Sequence, residues 1–309
     1  MIREIIDFFR AQLLARKTIT SLIGDDSNSS SQYWTRHNVT SHQNFSCIEE
    51  SLEYFHWRND QYFNYIELMP VDGCNGKTVL DYGCGPGHDL IGFGTYSKCK
   101  RLVGVDVSPS SLAESEARIN LHGIHAETVL IPNDTTRLPF EDASFDHIHS
   151  SGVLHHTPDP LAILKELKRV LSPGGTVHVM VYNYDSIWMH LYVAYKRSIA
   201  EGLYSGESLR DQFRRSTDGE DCPISNCYRP AEWIALCESA GFVANYLGAA
   251  ISMHETSLLP LRFAAIQDRR LPSESREFLK DLQFDEKGYP KYAGNYAGVD
   301  ACYRLTLAA

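Results

Sequence analysis

Apolar positions along the chain follow two alternating periods. Short, nearly continuous apolar runs occur near 77–82 (KTVLDY), 101–106 (RLVGVD), 127–131 (ETVLI), 145–150 and 175–182. Between them, near 88–96, 109–121 and 159–171, apolar residues recur every three to four positions. The first kind predicts buried strands and the second amphipathic helices, so the alternation predicts a parallel sheet with helices on both faces. The punctuation agrees. Ser108-Pro109 places Ser at an N-cap and Pro at the first helical position. Pro173-Gly174-Gly175 stops a helix and turns into the fifth strand. A sixth strand at about 242–249 follows the helical stretch PAEWIALCESAGF, and the closing residues YRLTLAA supply the next one.

Two long stretches interrupt this alternation, at about 184–229 and about 250–300. Both begin at the carboxyl end of a strand, the side on which open parallel sheets hold ligands, so they are expected to help build a ligand pocket. Residues 1–70 are expected to act with them as a helical cap and linker, and residues 71–309 to form the main domain. Within the cap, MIREIIDFFRAQLLARK sets Ile2, Ile5, Ile6, Phe9 and Leu13 on one helical face. That face is expected to pack on the body or on a second copy, which allows a homodimer. The polar stretch 18–46 reads as a loop or mobile linker. Residues 51–69 read as one helix, on which Tyr54, Trp57, Arg58, Tyr62 and Tyr65 share an aromatic face.

The first strand carries the most informative motif. It ends in Asp81 and runs into three alternate glycines, Gly83, Gly85 and Gly87, just before a helix. Glycine lets backbone N–H groups approach a ligand closely at such a turn. The second strand ends in Asp106, where a carboxylate is placed to accept hydrogen bonds from a ribose diol. The glycine spacing differs from the dinucleotide fingerprint G-x-G-x-x-G, because the third glycine comes one residue early.

In that form, DYGCGPG is similar to motif I of the class I S-adenosylmethionine-dependent methyltransferases. Asn133-Asp134-Thr135, LPFEDASFDHI, SSGVLHHTPDP and LAILKELKRVLSPGGTVHVMVYN follow in the order of that family's remaining motifs. The likeness is greatest to its small-molecule branch, which includes the ubiquinone and menaquinone methyltransferases. It covers roughly residues 77–183 and resumes at about 230–250. The resemblance implies an α/β, Rossmann-like, seven-stranded sheet, mostly parallel with an antiparallel last strand. It also implies S-adenosyl-L-methionine as cofactor and S-adenosyl-L-homocysteine as product. By motif position, Gly83, Gly85 and Gly87 lie against the methionine and ribose. Asp81 takes the amino group, Asp106 the ribose hydroxyls, Val107 walls the adenine, and Asp134 with Thr135 meets its exocyclic amine. Ser151 and Arg58 join the cofactor set, Arg58 as partner for a carboxylate.

On the acceptor side, His155 and His156 leave strand four beneath the expected methyl position. Imidazoles titrate near neutrality, which makes both acid/base candidates. Tyr182, Tyr184, Tyr62 and Trp57 are candidate acceptor contacts. Net charge is −10 over 309 residues, with no basic stripe, so no nucleic-acid partner is expected. The eight cysteines form no C-x-x-C pair. Reduced thiols in a cytoplasmic enzyme are expected, and no metal site. No apolar run is long enough for a bilayer, so no stable membrane insertion is expected. The reading at this level is O-methylation of a small molecule such as a sugar, polyketide or other secondary metabolite. N-, C- or carboxyl-methylation of a small molecule or peptide, and cofactor binding without catalysis, are its alternatives.

Overall fold

The computed structural model describes residues 30–40, 42–132, 136–204 and 206–308. The N-terminal amphipathic stretch and the Asn133-Asp134-Thr135 motif lie outside the described residues. The strands are β1 Tyr62–Phe63, β2 Thr78–Tyr82, β3 Arg101–Asp106, β4 Glu127–Leu130, β5 Phe145–Ser151, β6 Leu171–Tyr182, β7 Phe242–Ser252, β8 Gln283–Phe284, β9 Pro290–Tyr292, β10 Asn295–Tyr296 and β11 Asp300–Leu307. The main sheet runs in the order β1-β7-β11-β6-β5-β2-β3-β4. β2 through β6 pair in parallel, and β11 lies antiparallel between β6 and β7. β11 is thus the expected antiparallel strand, and the fold is the expected α/β, Rossmann-like one with helices flanking a mixed, mostly parallel sheet; that sheet has eight strands rather than seven, because the two-residue β1 adds to β7.

Central strands such as β2 (TVLDY) are buried on both faces, which is why they read as continuous apolar runs. Leu80, Val103, Phe145, Ile148, Val177 and Val179 are fully buried at the centre of the core. Helix Pro109–His122 is capped as expected, the Ser108 hydroxyl accepting from the Ser111 N–H.

Two further expectations are corrected here. The aromatic stretch 51–69 is not one helix. The helix Ile48–Asp60 ends, Tyr62 and Phe63 pair as β1 along the edge strand β7, and Asn64 takes a left-handed conformation (φ 68°) before a short helical turn, Tyr65–Leu68. Tyr62 and Tyr65 therefore leave the helical face that Tyr54, Trp57 and Arg58 occupy. In the stretch expected to be a linker, Ser30–Arg36 forms a helix.

The two inserts pack on each other. Helix Trp188–Ala200 of the first and helices Met253–Leu258, Arg262–Gln267 and Ser273–Asp281 of the second share a small core around Leu191, Ala194, Ala265, Phe278 and Leu279. Buried Glu255 joins them. It accepts from Ser252 N (2.8 Å) at the end of β7, from Trp188 N (2.9 Å) and from Val299 N (3.3 Å). No helix among the described residues is long and apolar enough to cross a membrane.

Candidate cofactor and active site

At the carboxyl ends of β2, β3 and β5 lies a cavity of about 210 Å³. The glycines of the turn after β2 do three different jobs there. A Cβ on Gly83, whose φ is +77°, would drive into the Val153 side chain after β5. Gly85, at φ +52°, has open space where its Cβ would point and lines the cavity. Gly87 caps helix His88–Tyr96 and packs against Ser115 rather than lining the cavity. Gly83→Ala is expected to lower stability by ~1–3 kcal/mol, because left-handed strain and overpacking act together. A thermal melt of the variant checks this, and an unchanged midpoint would show that Val153 yields freely.

Asp106 is held by two backbone donors. Its Oδ2 accepts from Gly85 N (2.9 Å) and its Oδ1 from Ser108 N (2.8 Å). Each oxygen keeps a further lone pair for a diol. Val107 lines the cavity beside it, as do Pro132 and Thr136, the described residues on either side of 133–135.

The end of the cavity expected to take the methionine is built from buried charge. Asp81 is 2% exposed and its Oδ2 has no hydrogen-bond partner. Burial, then the neighbouring Asp89 carboxylate, push its carboxyl well above the ordinary range. Asp89 lies 3.3 Å from His149 Nε2 and 3.8 Å from Arg58 Nη1. Burial works against its ionisation, yet its pKa is lowered because His149 and Arg58 outweigh that cost. Arg58 lines the cavity, and its Nη1 is buried without a hydrogen bond. The Asp81 carboxylate, beside Asp89 of the cavity wall, and the Arg58 guanidinium in that wall each keep an atom that makes no hydrogen bond, and together they complement an amino acid's ammonium and carboxylate. Ser151 lines the cavity too, its hydroxyl hydrogen-bonded to the Tyr65 hydroxyl.

The residues expected on the acceptor side separate. His156 lines the cavity, 7% exposed. Its Nδ1 lies 2.6 Å from Ile224 O, which it meets as a donor, and its Nε2 lies 3.6 Å from Asp218 Oδ2. His155 does not reach the cavity. It is fully buried, its ring lies 3.8 Å from that of Tyr182, and burial, followed by the charge of His156, pulls its pKa down. Tyr182 donates to Asp218 Oδ1 (3.0 Å). Tyr184 turns into the inserts, donating to Glu274 Oε2 (3.0 Å) between Arg210 and Arg229. Trp57 is 39% exposed and Tyr62 lines a different surface groove near Tyr289. Neither they nor Tyr184 line the cofactor cavity.

Several lining residues carried no sequence signal. Trp34, Asn38 and Val39 form part of the wall. They are strapped down by Ser31 Oγ donating to Val107 O (2.8 Å), Ser110 Oγ to Thr35 O (2.8 Å), and Asn38 and Thr40 to Glu114. Trp34 meets His156 edge-on at 4.7 Å. Asp218, from the first insert, is also unforeseen; it does not line the cavity and reaches the site through His156.

Residues 80–179 match the family model described as a methyltransferase domain. Among curated proteins, the chain is 38% identical over 122 residues to a tRNA U34 carboxymethyltransferase of Shewanella sp. (strain W3-18-1), covering 38% of this chain and 35% of that protein. A protein of the same description from Cellvibrio japonicus is 32% identical over 122 residues, covering 38% and 36%. The chain thus spans about a third of the length of the curated relatives it matches. Among solved structures, the putative methyltransferase in a complex with the Haloferax volcanii Trm112 methyltransferase activator aligns over 91% of this chain and 96% of its own, at 20% identity and a TM-score of 0.52. The YcgJ protein of Bacillus subtilis aligns over 79% and 97%, at 15% identity and a TM-score of 0.51. These likenesses show the fold.

The relatives correct the expected branch. The expectations of a small-molecule methyltransferase, and of no nucleic-acid partner, are overturned by matched relatives named for tRNA. Most of the motifs behind that expectation are ones the resemblance assigns to the cofactor, and a cofactor motif does not choose the acceptor. Net charge is a sum over the whole surface and does not report on one face. The matched segment is similar to a methyltransferase domain, and S-adenosylmethionine is the cofactor such a fold serves.

Proposed function

We propose that this chain is an S-adenosylmethionine-dependent methyltransferase whose acceptor is a nucleoside of tRNA. The relatives named as tRNA U34 carboxymethyltransferases carry the acceptor class. Geometry supports the cofactor half: Asp81 Oδ2 and Arg58 Nη1, neither in a hydrogen bond, at one end, the Asp106 carboxylate in the middle, and open space at Gly85.

S-adenosylmethionine supplies an activated methyl on a sulfonium when bound, so the protein has to orient, exclude water and remove a proton where the acceptor carries one. Arg58 and Asp81 fix the amino-acid end, and Asp106 fixes the ribose. Trp34, tied over the cavity, screens it from water and offers an aromatic face of the kind on which unstacked bases rest. His156 stands at the cavity wall with Nδ1 engaged by Ile224 O, which leaves Nε2 as the atom that takes a proton. Asp218 steadies the resulting imidazolium, and is itself held by Tyr182 and Ser225. The eight cysteines are free thiols, which suits the reducing cytoplasm in which tRNA is modified.

The test is transfer of label from methyl-labelled S-adenosylmethionine to total tRNA by the purified full chain. Ribonuclease-sensitive label in the tRNA fraction is expected. Its absence across tRNA from several sources, with the cofactor shown to bind, overturns the acceptor assignment and leaves the cofactor assignment standing.

Asp81 gives a separate check on the cofactor half. Its carboxyl is raised in the free protein, so part of the population holds a proton at neutral pH. An ammonium arriving beside it favours the ionised form and expels that proton. Calorimetry of S-adenosylhomocysteine binding in buffers of different ionisation enthalpy should show net proton release. Asp81→Asn should abolish the release. Identical proton counts in both proteins would move the amino group elsewhere.

A further inference from the structure

We propose that His156, Asp218 and Cys222 form a binding site for a single zinc-class divalent cation at the wall of the cofactor cavity. The inference goes beyond the proposed transferase activity and does not rest on the identity of the acceptor. One ligand atom from each of the three residues lies within 4.8 Å of the other two. His156 Nε2 and Asp218 Oδ2 are 3.6 Å apart. Tetrahedral zinc with bonds of ~2.0–2.2 Å to nitrogen and oxygen sets such donors about 3.4 Å apart. The sulfur completes the set from within 4.8 Å, so binding would draw it in toward the other two donors.

The hydrogen bonds around the three side chains strengthen the assignment. His156 Nδ1 donates to Ile224 O at 2.6 Å, which leaves Nε2 as the ring nitrogen facing Asp218. Two acceptors facing each other need a cation or a proton between them. Metal-binding histidines commonly show this arrangement, the second ring nitrogen donating to a backbone carbonyl. Asp218 is oriented in the same manner, by Tyr182 at Oδ1 (3.0 Å) and by the Ser225 hydroxyl at Oδ2 (3.0 Å). Cys222 lies 4.0 Å from His156 Nδ1 and 3.4 Å from Ile224 O. Burial, then the Asp218 charge, push its thiol up to about 12. The free protein therefore holds a thiol, and coordination would form the metal–sulfur bond with release of that proton to solvent.

A nitrogen, oxygen and sulfur donor set selects zinc-class ions over magnesium or calcium. Three protein ligands leave a fourth position, and because His156 lines the cavity that position adjoins the cavity. Cys227, five residues on and buried near Arg210, is not part of the site. Occupancy would also take up the Nε2 lone pair, so metal-loaded and metal-free protein differ in whether His156 serves as ligand or as base.

The experiment uses the full chain, stripped with chelator, and titrated with zinc by calorimetry and with cobalt by visible absorption. One equivalent should bind, with a tetrahedral cobalt spectrum carrying a thiolate charge-transfer band. Cys222→Ser should remove that band and weaken zinc affinity at least about 100-fold. Ser225→Ala, which loosens Asp218 only, should weaken it about 10-fold. Cys227→Ser should bind as the parent does. The proposal is overturned if the parent takes up no zinc, if its cobalt spectrum lacks the thiolate band, or if Cys222→Ser binds with unchanged affinity.

Discussion

Replacing Asp106 by alanine is expected to raise the dissociation constant for S-adenosylhomocysteine about 30- to 150-fold, the equivalent of ~2–3 kcal/mol for charge-assisted hydrogen bonds lost in a site with little water. The size follows from what the carboxylate does. It is 9% exposed, and each oxygen already receives one backbone N–H, from Gly85 and from Ser108. Those bonds fix its plane before the ligand arrives, so little ordering remains to offset the gain on binding. They also mean that alanine leaves two N–H groups without their acceptor and disturbs the turn itself. Asp106→Asn separates the two effects. The amide oxygen can still serve one of those N–H groups, while the charge is gone, and an intermediate loss of about 10-fold is expected. Calorimetry on both variants, with a thermal melt as control for folding, gives the answer. Full affinity in the alanine variant would remove Asp106 from the cofactor site.

What could be read from the sequence, and what could not, divides along the range of the interactions. β3 and the helix after Gly87 fall where periodicity placed them, because a buried parallel strand and a capped helix are specified by their own residues. The positions of Gly83, Gly85 and Asp106 followed for the same reason: the turn is built from consecutive residues. Trp34 and Asn38 could not be found in that way. They sit in a polar stretch with no apolar period, and they are brought to the cavity by distant bonds, Ser31 to Val107 and Asn38 to Glu114. Asp218 stands among other acids in DGEDC, and only the tertiary contacts to Tyr182, Ser225 and His156 single it out. Tyr62 and Tyr65 show the converse error. Their spacing matched a helix, but the edge of β7 captured Tyr62 and Phe63 as a strand, tertiary pairing overriding local pattern. The acceptor branch failed for a chemical reason. Motif I and Asp106 are expected to serve a cofactor that many acceptor classes share, so they carry no information about what receives the methyl.

The other large effect is expected at His156. In metal-free protein, His156→Ala should lower kcat for transfer to tRNA by ~10²–10⁴-fold, the range for a positioned general base. Affinity for S-adenosylhomocysteine should stay within about threefold, because the ring's polar partners are Ile224 and Asp218 and not the cradle formed by Asp81, Arg58 and Asp106. Asp218→Asn tests whether the carboxylate acts through the imidazole. It preserves the shape and an acceptor for the Tyr182 hydroxyl, but withdraws the charge that stabilises a protonated ring. A fall in kcat of about 10-fold with little change in KM is expected, since the loss arises only when the ring takes up a proton. His155→Gln provides the contrast. That ring is fully buried against Tyr182 and outside the cavity wall, so the change should cost stability while any fall in kcat stays well below that of His156→Ala. Single-turnover measurement with preloaded cofactor separates the chemical step from tRNA binding. If His156→Ala turned over at the parent rate there, the acceptor would need no base at this position, and the His156–Asp218 pair would be left with the metal-binding role alone.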